Sequence, residues 1–170
     1  NRAIAALLTD PVRGSQTDLV ITYRDGAYEV WAARGMIRFQ RFYDEGGAQP
    51  GGRPSGYAYR VIERIGEDPI GNQDPTALAT LAQELEAGAK SGYSGTDPAQ
   101  AFVEPEQLSY PLAMERIAQL FDSPNAPDIV ISPKSYAFGR QPGQHGALDV
   151  VQSRAPLVLS GPGVKPGVTD

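Results

Sequence analysis

The sequence predicts a mixed α/β chain of α+β type, in which an antiparallel β-meander is joined to a segment of α/β sheet. Three observations carry this reading. Ala27 to Ala33 and Met36 to Phe42 alternate apolar and polar side chains with period two, and the turn pair Asp25-Gly26 joins the first of these to the strand pattern before it. Two stretches after residue 74 carry apolar residues at helical spacing. Two short apolar runs, Asp128 to Ser132 and Ala155 to Ser160, bracket a long glycine-rich stretch, as strands do when loops at their ends carry function. At 170 residues the chain has the length of one domain and can bury a core. It reads as a single domain or a fragment of one, with a meander over 18–66 and an α/β core segment over 74–168.

The elements follow in order. Arg2 to Leu8 is a helix end, stopped by Asp10-Pro11, because the residue before proline is pushed out of the helical region. It begins without an N-cap, so the chain is expected to start inside a longer protein. Asp18 to Arg24 is a strand. Asp25-Gly26 supplies the two positive-φ positions of a type I′ turn, and Ala27 to Ala33 returns as the second strand. Met36 to Phe42 alternates again, with Met36, Arg38 and Gln40 on one face and Ile37, Phe39 and Arg41 on the other. Glu45 to Pro54 is a glycine-proline loop, and Tyr57 to Ile62 is the fourth strand.

In the second half, Asp74 caps a helix with Pro75 in its first position. Leu78, Leu81, Ala82 and Leu85 form its stripe and Gly88 ends it, so the helix covers about 76–88. A polar loop leads to a second helix over 111–121, whose apolar face is Leu112, Ala113, Ile117, Leu120 and Phe121. Asp128 to Ser132 has too few polar residues for a half-exposed strand and is expected to be buried on both faces. Ser135 to Asp149 is a glycine-rich loop, and Ala155 to Ser160 is another buried strand.

Composition removes several function classes. Fifteen Lys and Arg against twenty Asp and Glu give a net charge of −5, with no basic cluster, so nucleic acid is not an expected partner. No apolar run reaches the length that spans a bilayer, and Asn1 to Ile4 lacks a signal-peptide design. There is no cysteine, which excludes disulfides, thiolate metal sites and cysteine nucleophiles but does not fix the compartment.

The chemistry-bearing candidate is His145, the single histidine, set in Gly143-Gln144-His145-Gly146. Neutral imidazole is a common metal ligand, and flanking glycines let a ligand approach the backbone. An isolated histidine in a turn is more often a surface residue; the strand-loop-strand setting reverses that balance. Asp128 and Asp149 read as strand-edge or turn residues. Lys134, Tyr136 and Arg140 read as solvated loop residues beside His145. Gly161-Pro162-Gly163 ends a strand rather than cradling a phosphate. Trp31, Tyr57 and Tyr59 sit on alternating strands and read as core or half-buried packing. The acidic residues are dispersed and show no acid/base pair.

Tyr110-Pro111 opening a helix, Pro127 to Pro133, Gly143 to Leu148 and Arg154 to Gly163 stand in an order that resembles the alkaline phosphatase superfamily, in its type I phosphodiesterase/nucleotide pyrophosphatase-like branch. The likeness covers about residues 110 to 168. It implies a partial alkaline-phosphatase-like α/β sheet core with an inserted meander. It implies that His145 is a metal ligand, the late Gly-x-His-Gly histidine of that family. It also implies a divalent metal, zinc, bound only in the complete enzyme, and a phosphoester small molecule as substrate. The family also uses an early aspartate, a Ser or Thr nucleophile, a central Asp/His pair and an Asp-His-Gly motif. With one histidine this chain cannot hold the other two. The expectation is therefore a fragment of a metal-dependent phosphoric-ester hydrolase, inactive without the rest of its parent chain. The alternative is a non-catalytic α+β binding or accessory domain.

Overall fold

A computed structural model describes residues 2–43, 56–73, 86, 108–134, 147–153 and 163. The chain is α+β, built on one antiparallel five-stranded sheet. Helices α1 (Arg2–Thr9) and α2 (Arg13–Gln16) precede strands β1 (Thr17–Arg24), β2 (Ala27–Ala32), β3 (Gly35–Tyr43) and β4 (Tyr57–Gly66). Helix α3 (Ala113–Phe121), strand β5 (Val130–Pro133) and the short helix α4 (Val150–Ser153) complete the described elements.

The meander is as the alternation predicts. Asp25 and Gly26 take φ 51° and 71°, the double positive-φ turn that matches the twist of the strands it joins. Arg24 then faces Ala27 across the hairpin. Gly35 opens β3 where β4 and its exit close in; a Cβ there would collide with the carbonyl oxygens of Glu67 and Ile65, so only glycine admits that approach. β4 runs four residues past the predicted Ile62. It pairs with β3 alone among the described strands, and it is mostly exposed.

The sheet order is β4-β3-β2-β1-β5. β5, from the second half of the chain, pairs antiparallel with β1, so one sheet crosses both halves. The expectation that Asp128 to Ser132 is buried on both faces does not hold. Ser132 is buried, but Ile131 is 44% exposed and Ile129 37%. β5 is the outer strand among those described, and an apolar run reports burial without reporting which neighbours supply it.

One face of the sheet carries the core. Leu19, Ile21, Tyr28, Val30, Ala32, Ile37 and Phe39 pack with Ile70, Leu108, Tyr110 and the α3 residues Ala113, Ile117 and Ala118. Rings continue the contact, with Tyr28 stacked on Phe39 at 5.0 Å between centroids and Phe121 6.2 Å from Tyr28. On the other face, Val20, Ala27, Glu29 and Met36 are also buried, as is Ile4 of α1.

Helix α3 starts two residues later than the pattern suggests. Pro111 and Leu112 form a turn, and Leu112 has φ 53°. The buried face differs too: Ala113, Glu115, Ile117 and Ala118 are inside, whereas Leu120 is 43% exposed. The buried carboxylate is paired: the Tyr59 hydroxyl donates to Glu115 Oε2 at 3.1 Å, and Gln119 Nε2 donates to its Oε1 at 3.0 Å. The helix expected over 76–88 lies outside the described residues except Glu86, which is helical. The strand expected over 155–160 lies outside them as well.

Candidate functional site

Among the described residues, a highly organised polar group is centred on Asp18. Opposite β5, the register of β1 steps from Thr17 to Leu19 while its partner moves only from Pro133 to Ser132. Asp18 is the extra residue of this bulge, a device that re-aims one side chain away from the strand's alternation. Its Oδ1 accepts from Arg34 Nη1 at 2.8 Å and its Oδ2 from the Tyr110 hydroxyl at 2.7 Å. Arg34, in the turn between β2 and β3, also donates from Nη2 to the Tyr110 hydroxyl at 2.9 Å and to the Pro69 carbonyl at 2.6 Å. Tyr110 is held in turn by its backbone N–H, which donates to the Asn72 carbonyl at 2.6 Å.

Burial dominates the electrostatics here. It pushes the Asp18 carboxyl above the usual carboxylate range, against the pull of the Arg34 charge and the two hydrogen bonds; the Asp149 charge pushes the same way as burial. Burial lowers Arg34, but the charges of Asp18 and Tyr110 and the hydrogen bonds to both together outweigh it, so the guanidinium is held more firmly protonated. Burial and the neighbouring Asp18 raise the Tyr110 hydroxyl well beyond its normal range, keeping it a donor. Both Asp18 oxygens are engaged, one by the buried Tyr110 and one by the largely buried Arg34. The cluster therefore fastens β1, the β2–β3 turn and the segment leading into α3, and presents no open position to a reactant.

The same region secures both ends of the stretch that carries His145. On one side, the Lys134 N–H donates to the Gln16 carbonyl at 2.9 Å. On the other, Arg116 of α3 donates to the carbonyls of Leu148 at 2.7 Å and Ala147 at 3.3 Å, and to Ser153 Oγ at 2.8 Å. The Val150 N–H donates to the Ser109 carbonyl at 2.8 Å. Asp149, 1% exposed, accepts from the Gln152 N–H at 3.0 Å and so caps α4. Its charge is felt by Asp18, Tyr110 and Arg116 alike. Another buried carboxylate, Glu29, lies on the other face. It accepts from Arg24 Nε and Trp31 Nε1, each at 3.0 Å, and has Arg38 Nε at 3.6 Å.

His145 itself lies outside the described residues, as do Tyr136, Arg140 and Gln144. Asp128 is exposed beside β5, and Asp149 is a turn residue as the sequence suggests, though deeply buried. Trp31 and Tyr59 are half-buried and hydrogen-bonded, and Tyr57 is 38% exposed under the Arg41 guanidinium. Sequence reasoning did not single out Asp18, Arg34 or Glu29. Asp18 looks like the polar start of a strand, and its partners are 16 and 92 residues away; no local signal reports such a meeting.

No group of three or more His, Cys, Asp or Glu that could hold a metal ion occurs among the described residues. No protein-family model, curated protein or solved structure matches this chain.

Proposed function

We propose that this chain is a segment of a metal-dependent phosphoric-ester hydrolase of the alkaline phosphatase type, related to the phosphodiesterases and nucleotide pyrophosphatases, and that His145 donates one metal-ligand nitrogen in the complete enzyme. The observation that carries the reading is the ordered run Gly143-Gln-His-Gly followed by the apolar strand pattern and Gly161-Pro162-Gly163. The anchoring of residues 134 and 147–153 supports it, because a ligand-bearing loop needs fixed ends to hold an imidazole within the tolerance of a metal bond. The donor chemistry suits zinc, which takes histidine nitrogen and carboxylate oxygen. Among the described residues the donors do not form a site by themselves, so the remaining ligands and the nucleophile belong to the parent chain. Bound there, the metal would polarise a phosphoryl oxygen and activate a nucleophile. This chain's part is to present His145 from a segment whose flanking residues are anchored by Gln16 and Arg116.

The engaged state of Asp18 favours the second reading, a non-catalytic α+β accessory domain, to the extent that the best-built polar cluster here is closed. His145→Ala in the full-length parent separates the two. The hydrolase reading expects metal content by elemental analysis and turnover of a phosphodiester to fall together, with the melting temperature unchanged. An accessory domain expects both to stay at the parent's level.

A further inference from the structure

β4 ends the described sheet on the side away from β5. Every residue of the strand from Arg60 to Gly66 is exposed, so neither of its faces is covered there. Val61, Ile62 and Ile65 are the apolar ones among them, at 37%, 41% and 54% exposure. An exposed outer strand is a template for a further strand, added through main-chain hydrogen bonds. The charges along it decide which strand is accepted and in what register.

The register against β3 contains a bulge. β3 steps from Arg38 to Phe39 while β4 steps from Glu63 to Val61, which leaves Ile62 as the extra residue. Arg60 stands opposite Gln40 and Glu63 opposite Arg38. Gln40 and Arg38 are two residues apart, so Arg60 and Glu63 share one face of the sheet, one register step to either side of Val61. Without the bulge, residues three apart would face opposite ways. Neither makes an ion pair among the described residues. A second copy running antiparallel, related by a two-fold axis through Val61, therefore meets this strand with opposite charges twice. Arg60 faces Glu63 of the second copy, Glu63 faces its Arg60, and Ala58 faces its Ile65. Moving the axis by one step sets Arg60 against Arg60 or Glu63 against Glu63, which like charges disfavour.

We infer that β4 is a self-association edge: two copies of this chain pair antiparallel through β4, about a two-fold axis at Val61, so that their sheets become continuous. The contact is isologous, the same patch serving on both copies. Its charge pairs are exposed, so added salt weakens it. One strand pair buries less than a standard interface, which sets a dissociation constant of about micromolar or weaker. The inference is independent of the hydrolase reading.

Sedimentation of the purified chain, from about micromolar to about millimolar, should show a reversible monomer–dimer equilibrium. Arg60→Glu and Glu63→Arg each set like charges opposite one another twice, and each should raise the dissociation constant about tenfold or more. An equimolar mixture of the two variants should regain the parent's affinity, because the mixed pair has opposite charges at both contacts. A defect confined to one chain would not be rescued in this way. The chain has no cysteine, so engineered thiols give a separate reading. Val61→Cys should oxidise to a disulfide-linked dimer, since the axis sets it against its own copy. Ile65→Cys, opposite Ala58, should not. If either charge variant fails to fold, the two cysteine variants still decide the matter. A chain monomeric over the whole range, a mixture no tighter than its components, or equal cross-linking of the two cysteine variants overturns the inference.

Discussion

Tyr110 shows how much one hydroxyl can carry. It donates to Asp18, accepts from Arg34 and is 1% exposed. Tyr110→Phe keeps the ring under the Arg34 guanidinium, 5.9 Å from its centroid, and removes only the oxygen. Asp18 Oδ2 then loses a buried donor and Arg34 loses an acceptor, so urea unfolding should show a loss of about 1–3 kcal/mol. An unchanged midpoint would mean that the cluster is not a structural fastening. Glu29 sets a pH dependence. Burial alone would raise its carboxyl, but hydrogen bonds from Arg24 and Trp31 and the charges of Arg24 and Arg38 hold it below the usual glutamate range. A carboxylate lowered on folding stabilises the fold above its unfolded pKa, and that contribution disappears as pH falls through the lowered value. Glu29→Gln should therefore be less stable than the parent chain at neutral pH, with the gap closing as acid protonates Glu29. Urea midpoints across the carboxylate range check this; a gap independent of pH would refute it.

Helix α3 shows what an amphipathic pattern can and cannot locate. Its apolar spacing was enough to identify a helix within two residues of its observed start. The same spacing gave Leu120 a core position, whereas the fold leaves it exposed and buries Glu115, whose carboxylate accepts from the Tyr59 hydroxyl of β4. The two leucine-sized residues should then respond differently to truncation. Ile117→Ala, at 1% exposure, should cost about 2–5 kcal/mol as a core cavity, and Leu120→Ala about 0.5 kcal/mol or less, as a surface change. Thermal or urea unfolding of the pair measures it, and equal costs would restore the sequence-based face. The Asp25-Gly26 hairpin was legible to the residue because its chemistry is local. α4 was missed, although Asp149 three residues before Gln152 is an ordinary capping arrangement.

At the scale of the whole molecule, one sheet joins the two halves, and α3 and the segment leading into it cover the sheet, with Tyr110 before the helix holding Asp18 and Arg116 on the helix holding the segment after His145. Phosphoryl transfer needs positioning and charge stabilisation by a complete constellation, and a chain with a single histidine offers one part of the one proposed. The purified 170-residue chain should accordingly show no metal-dependent turnover of a nitrophenyl phosphate or a phosphodiester. Turnover above a His145→Ala control would overturn the fragment reading.

The sequence by itself determined the meander, its first hairpin turn, the existence of α1 and α3, and the absence of thiol chemistry. Each of these depends on near neighbours: alternation, turn dihedrals, helical spacing or residue type. Only the tertiary structure decided that β5 joins β1 as the outer of the described strands, that Leu120 faces solvent, and that Asp18, Arg34 and Tyr110 meet in the interior. Those outcomes depend on which distant partner supplies burial or a hydrogen bond. For Asp18, an inserted strand residue turns the carboxylate toward a hydroxyl 92 positions away, and a buried polar group takes its position from the partners that satisfy it.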